Sequence, residues 1–438
     1  MTLVHIAGLD EKPAAPNLEP MTTTKTGANT EANTGAARTP IPRYQAHEGP
    51  ALLAHGFRPF FLLAGLWAVA ALVLSFAWIM GWIEIPSGFD PVRWHVHEML
   101  FGYVAAAMAG FLLTAIPNWT GRMPLQGLPL LGLALLWLAG RAANLVSGPP
   151  GPLGPWAAAL ADVSFLAVLA AAILREILSS RNWRNLAPVT GVLLFGLCNA
   201  LSHASAAGAI ETDGWELRLA VAVPVAMIVL IGGRIVPSFT RNWLAKRGAV
   251  ALPASFGWPD RAALVSALPA LIAWAVAPEA LVTGALAALA AACNLWRLLR
   301  WRGPATWPEP LLWVLHLAYL WVPLGLALIA LGAWWPALPQ AAATHGLTAG
   351  AIGGMTLAVM SRATLGHTGQ ALTAGPGLSA AYVLVMLAAL ARVTAPLAGD
   401  LETALLSAAA LAWAGGFLAY LWVCAPLLLS PRRDKKPG

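Results

Sequence analysis

His95, His97 and Glu98 stand together in Trp94-His95-Val96-His97-Glu98-Met99-Leu100-Phe101-Gly102, at the head of an apolar run that ends in Pro117-Asn118-Trp119-Thr120-Gly121-Arg122. Imidazoles and a carboxylate in a segment that can cross a bilayer are costly there, so they define a candidate site for proton or metal chemistry. On a helix His95 and His97 lie about 200° apart, at roughly 100° per residue, so each faces a different neighbour. His95 shares a face with Gly102, Ala106 and Gly110, a small-residue stripe that admits another helix or a flat macrocycle; His97 sits over Phe101, Val104 and Met108. For each histidine alone, capping the helix or bonding a neighbouring helix is the competing structural reading.

The elements that carry these residues follow from composition. Hydrophobic residues make up 59% of the chain and charged ones only 10%, which excludes a soluble fold and places the protein in a lipid bilayer. Residues 1–50 are polar and read as a disordered cytoplasmic tail holding His5 and His47. No secretory signal precedes the first apolar run. At about 20 residues per crossing, residues 51–430 hold twelve spans, centred near 70, 105, 136, 166, 197, 226, 269, 289, 321, 353, 387 and 415, and residues 431–438 form a basic tail. The predicted fold is thus an all-α polytopic bundle of about twelve transmembrane helices.

Charge distribution orients it. The tail through Arg58, Arg122, the Arg175–Arg184 group, the Arg234–Arg261 group, the Arg297–Arg302 group, Arg362 and Arg432–Lys436 fall on one side, and only Arg93, Arg141, Arg218 and Arg392 on the other. By the positive-inside rule both termini are cytoplasmic. This distribution also accounts for the sequence pI of 9.7 without nucleic acid as a partner. Cys198, Cys293 and Cys424 lack any partner motif and read as core residues.

Span 2 ends in Ile116-Pro117-Asn118-Trp119-Thr120, span 6 in Val236-Pro237-Ser238-Phe239-Thr240, and span 10 more loosely in Met360-Ser361-Arg362-Ala363-Thr364; Gly140-Arg141 in span 3 matches Ala391-Arg392 in span 11. Three four-helix pseudo-repeats explain these matches and make spans 2, 6 and 10 equivalent around one centre. The topology puts His95, His97, His203 and His345 in the periplasmic leaflet, and His316 and His367 in the cytoplasmic half. Span 10 carries its own stripe, Gly346, Gly350 and Gly354. Imidazoles on facing helices suit a b-type haem and further imidazoles suit copper, whereas close helix packing explains both stripes without a cofactor. Asp162 and Glu98 are candidate proton-handling groups, Asp162 alternatively an anchor for an arginine. Arg58, Arg122, Arg234 and Arg362 are either propionate or headgroup clamps or interfacial anchors, with Arg58 able to snorkel.

Gly56-Phe57-Arg58-Pro59-Phe60-Phe61, the Trp94–Gly102 and Gly110–Gly121 stretches, Gly232-Gly233-Arg234-Ile235-Val236-Pro237-Ser238-Phe239-Thr240, and His345 through Gly369 together resemble the NnrS family. The likeness runs from about residue 50 to the C-terminus. It implies a twelve-helix inner-membrane protein with haem and copper, acting in the bacterial nitric-oxide response. A looser resemblance, to the haem-copper oxidase superfamily, places haem-ligating histidines on helices 2 and 10. It departs in that span 6 has no histidine and no span carries a His-His pair. On these resemblances His95 and His345 are expected as axial ligands of haem b, His97 and His203 as ligands of a second metal or haem, and His316 with His367 as a separate cytoplasmic-side site. Glu98 or Asp162 would supply protons for nitric oxide consumption with electrons from quinol. A non-enzymatic nitric oxide sensor or haem-copper handling protein is the alternative, and a secondary transporter, motivated by Pro224, Pro323 and Gly353-Gly354, is a third.

Overall fold

The computed structural model describes residues 48–149 and 151–432; most of the predicted N-terminal tail, with His5 and His47, and most of the basic C-terminal tail lie outside them. No strand occurs among the described residues. The helices are α1 (Phe57–Ile79), α2 (Pro91–Thr120), α3 (Gly127–Leu145), α4 (Pro155–Ser180), α5 (Leu186–Ala206), α6 (Trp215–Ala245), α7 (Trp258–Val276), α8 (Leu281–Leu299), α9 (Pro310–Trp334), α10 (340–367), α11 (Pro376–Thr394) and α12 (Glu402–Leu429). Eleven long apolar helices meet the length and hydropathy needed to cross a membrane, and α10, built from three consecutive helical pieces, completes the predicted set. The chain is a multi-pass membrane protein.

Helices α2, α6 and α10 each change from α to π geometry in mid-course, over Glu98–Val104, Ile228–Gly232 and Gly346–Gly353. Single π turns tend to mark functional sites, and here one occurs in each of the three helices that the repeat makes equivalent. The three helices meet around a small apolar cavity that Val104, Met108, Met227, Ile231, Ile352 and Met355 help line. Two π-segment carbonyls receive side-chain donors from neighbouring helices. Trp137 Nε1 on α3 donates to Gly102 O at 3.1 Å, and Arg297 Nη1 on α8 donates to Val229 O at 2.7 Å. Each contact satisfies a buried acceptor in the irregular stretch.

The π segment also moves residues off the face that uniform α periodicity assigns. A Cβ on Gly102 would run into the Trp67 indole of α1, and one on Gly110 into the Phe61 ring. On α10, Gly350 receives Trp321, and Gly354 receives Met386 and Ala318. Both stripes therefore serve helix packing, the alternative to a macrocycle, because a ring or side chain from a neighbouring helix already occupies the space. Pro224 and Pro323 lie within continuous helices, and Gly353-Gly354 stands at the π-to-α junction of α10. The discontinuous helices that motivate a transporter reading are not formed at these positions.

Asp90 opens α2 by accepting from the amides of Val92 and Arg93, both at 3.0 Å, with Pro91 in the first helical turn. The preceding loop is pinned by Gly88 N donating to Ser147 Oγ at 2.8 Å. This fixes Phe89 over the mouth of the bundle, with its ring centroid 4.5 Å from that of His97 and 5.2 Å from that of His203. The loop that starts α2 thus shields His97 of that helix and His203 of α5 from water.

Candidate functional site

His95 and His97 do face different neighbours, as their helical spacing requires. His95 points with His345 of α10 into a cavity of about 350 Å³ bounded by α1, α2, α6, α10, α11 and α12. The walls are mostly apolar, with Leu72, Met99, Val221 and Trp413 among them. Val104 and Ile352 also line the central cavity, so the two spaces share a wall. His95 Nδ1 lies 2.9 Å from Ser75 Oγ, and His345 Nδ1 donates to Ala341 O at 2.8 Å. Each Nε2 has no hydrogen-bond partner among the described residues. Occupying Nδ1 fixes ring orientation and, for His345, leaves the Nε2 lone pair available, which is how a metal-ligating histidine is prepared.

His97 faces the other way into a buried cluster from α2, α3, α4 and α5. Its Nδ1 donates to Glu98 Oε1 at 3.2 Å, while its Nε2 lies 2.9 Å from Asn199 Oδ1 and 3.2 Å from Asp162 Oδ2. His203 Nε2 lies 3.1 Å from the same Asp162 oxygen. Arg141 bridges both carboxylates, donating from Nη1 to Glu98 Oε2 at 2.7 Å and from Nη2 to Asp162 Oδ1. Asn144 donates to Glu98 at 3.1 Å and to Asp162 at 3.3 Å, and Trp67 Nε1 donates to Glu98 Oε2 at 2.9 Å. The members are nearly or wholly excluded from solvent, so their charges are tolerated only through these contacts.

One nitrogen from His97, one from His203 and one Asp162 oxygen lie within 4.8 Å of one another. Imidazole nitrogens with a carboxylate oxygen form a donor set for a divalent transition metal such as copper or zinc. The His97 Nδ1–Glu98 contact is the carboxylate–histidine arrangement that orients a metal ligand. The Asn144 Oδ1 acceptor, buried without a partner, lies on another side chain of the same cluster. These residues fit a metal ion, and two imidazoles with Nδ1 engaged on the wall of one apolar cavity are the donor type that a tetrapyrrole iron takes.

The remaining candidates lie elsewhere. Arg58 is buried rather than snorkelling: its Nη1 donates to the carbonyls of Leu427, Leu428 and Ser430, the last at 2.7 Å, and so closes the end of α12. Arg122 pairs with Glu176 at the surface, and Arg234 is exposed. The Arg362 guanidinium stacks 4.0 Å from the Phe239 ring centroid, joining α10 to α6. None of the four lines the His95–His345 cavity. His316 Nε2 lies 2.9 Å from Thr240 Oγ1, whereas the His367 ring centroid is 5.3 Å from that of Phe57. These two histidines have different surroundings and no direct contact among the described residues.

Arg141, Asn144 and Asn199 were not singled out as site residues by sequence. Arg141 reads there as a basic residue at a helix end, yet it is 2% exposed between two carboxylates. The usable signal is Arg141 and Asn144 one turn apart in an otherwise apolar helix, a polar pair that must find partners inside the bundle.

These arrangements define a polytopic membrane protein with two histidine-bearing sites, His95–His345 and His97–His203–Asp162, near the end of the bundle where α2 begins. The sequence matches the NnrS protein family over residues 51–432, and the chain belongs to that family, which makes it a protein of the nitric-oxide response. No curated protein matches it.

Proposed function

We propose that this protein binds and consumes nitric oxide in the bacterial inner membrane, using haem b held by His95 and His345, a copper ion held by His97, His203 and Asp162, and electrons from quinol. The observation that carries the reading is the pair of imidazoles, each with Nδ1 engaged and Nε2 without a protein partner, on the wall of one apolar cavity. Bound there, the haem would pass on the electrons from quinol and the copper would offer a place for nitric oxide to be reduced. Two nitric oxide molecules, two electrons and two protons give nitrous oxide and water, and one quinol provides both electrons and both protons.

The chain's own groups have separable tasks. The apolar walls keep water from the reacting gas. Glu98, hydrogen-bonded to His97 Nδ1 and outside the copper ligands, can hold and pass a proton, while Arg141 keeps the two carboxylates from repelling each other. With both termini cytoplasmic, as the basic residues favour, this cluster lies in the periplasmic leaflet.

Steady-state nitric oxide consumption by purified protein with an added quinol tests the reading. Turnover that His95→Ala abolishes is expected. A nitric oxide-induced spectral change without turnover, under conditions that reduce the haem, would instead make the protein a nitric oxide sensor or a haem-copper handling protein.

A further inference from the structure

The His95–His345 cavity contains one cation for which the proton-handling and metal sites have no use. Arg392, near the end of α11, lines the cavity alongside both imidazoles. His345 is within electrostatic reach of both His95 and Arg392. Among the described residues no hydrogen bond or ion pair engages the Arg392 guanidinium; Glu402, exposed at the start of α12, acts on it through its charge alone.

Three other arginines of the bundle are held by the chain itself. Arg58 is occupied by three carbonyls, Arg141 by two carboxylates, and Arg297 by Asp260, Val229 O and Tyr319. A guanidinium is always charged and its fork matches a carboxylate in a bidentate geometry. Arg392 is half-buried on a mostly apolar wall, so its fork is free to meet an anion that the cavity's ligand brings.

We infer that Arg392 binds a carboxylate on the edge of the tetrapyrrole held by His95 and His345, so that the anionic edge of the ligand faces the end of the bundle where α2 begins. This rests on the haem reading of that cavity. It assigns the propionate contact to Arg392, on the opposite side of the membrane from Arg58, Arg122, Arg234 and Arg362. It also makes Arg392 an orientation determinant, because a flipped ring would turn its carboxylates toward the apolar cavity that Val104 and Ile352 share.

The test is reconstitution of the full-length apoprotein in detergent with haem and, separately, with haem dimethyl ester, followed by the Soret band and by transfer of the ligand to apomyoglobin. For the wild-type chain the ester is expected to be held at least about tenfold more weakly, the loss of one charge-assisted hydrogen bond. In Arg392→Gln the two forms should be held about equally, and Arg392→Lys should restore part of the preference. Equal retention of haem and ester by the wild-type chain overturns the inference, and so does an undiminished preference in a monodisperse Arg392→Gln variant. If that variant does not fold, the wild-type comparison decides alone. A wild-type chain that gives no Soret band with either ligand overturns the haem reading itself, a distinct outcome.

Discussion

Replacing Arg141 with Met isolates what holds the buried cluster together. Arg141 is 2% exposed and joins Glu98 and Asp162, whose side chains are 0% and 1% exposed. Removing the guanidinium leaves two carboxylates without their shared cation in a site that Phe89 closes off, and breaking a buried pair in this way costs about 3–5 kcal/mol. Adding Asp162→Asn to Arg141→Met removes one uncompensated charge. The double variant should therefore lose less than the sum of the two single losses, with a coupling of about 0.5–3 kcal/mol. Reversible unfolding in mixed micelles, followed by tryptophan fluorescence, measures all four proteins. An Arg141→Met chain within about 1 kcal/mol of wild type, or a strictly additive cycle, would show that Arg141 does not neutralise the pair.

Other substitutions probe separate parts of the account. Asp162→Asn should lower bound copper while leaving the haem spectrum in place, which metal analysis and visible absorption on the same sample decide. Gly102→Ala should destabilise the fold by about 1–3 kcal/mol, because the new Cβ meets the Trp67 indole and comes within 3.1 Å of Arg141 Nη1; an unchanged unfolding midpoint contradicts that packing. Glu216 is fully buried with both carboxylate oxygens unpartnered among the described residues, so Glu216→Gln should leave stability unchanged or raise it, and a loss above about 1 kcal/mol would reveal a partner for the charge.

The fold was largely legible because the bilayer imposes length and polarity on every crossing. Twelve apolar runs, the side preference of Lys and Arg and the divergence of His95 from His97 all follow from helix geometry and transfer cost. What escaped was register beyond Glu98: a π segment adds a rotation that uniform 100° steps cannot represent, so Gly102 and Gly110 meet aromatic rings instead of a cofactor's face. Arg58 and Arg141 depart from their sequence reading for a related reason. A basic residue near a helix end reads as interfacial, yet the α12 carbonyls and the Glu98–Asp162 pair, which recruit these two inward, are remote in sequence. Asp162, in contrast, does anchor an arginine, as one of its two readings required.

The central claim is that His95 and His345 hold one haem, and the most direct measurement is the visible spectrum of the purified protein, oxidised, dithionite-reduced and exposed to nitric oxide, beside the His95→Ala and His345→Ala variants. The account predicts haem bands in the wild-type chain that shift with nitric oxide, and loss of the bis-histidine low-spin signal in each variant. Full haem occupancy with an unchanged low-spin spectrum in both variants, or a colourless wild-type protein from haem-replete cells, would contradict it.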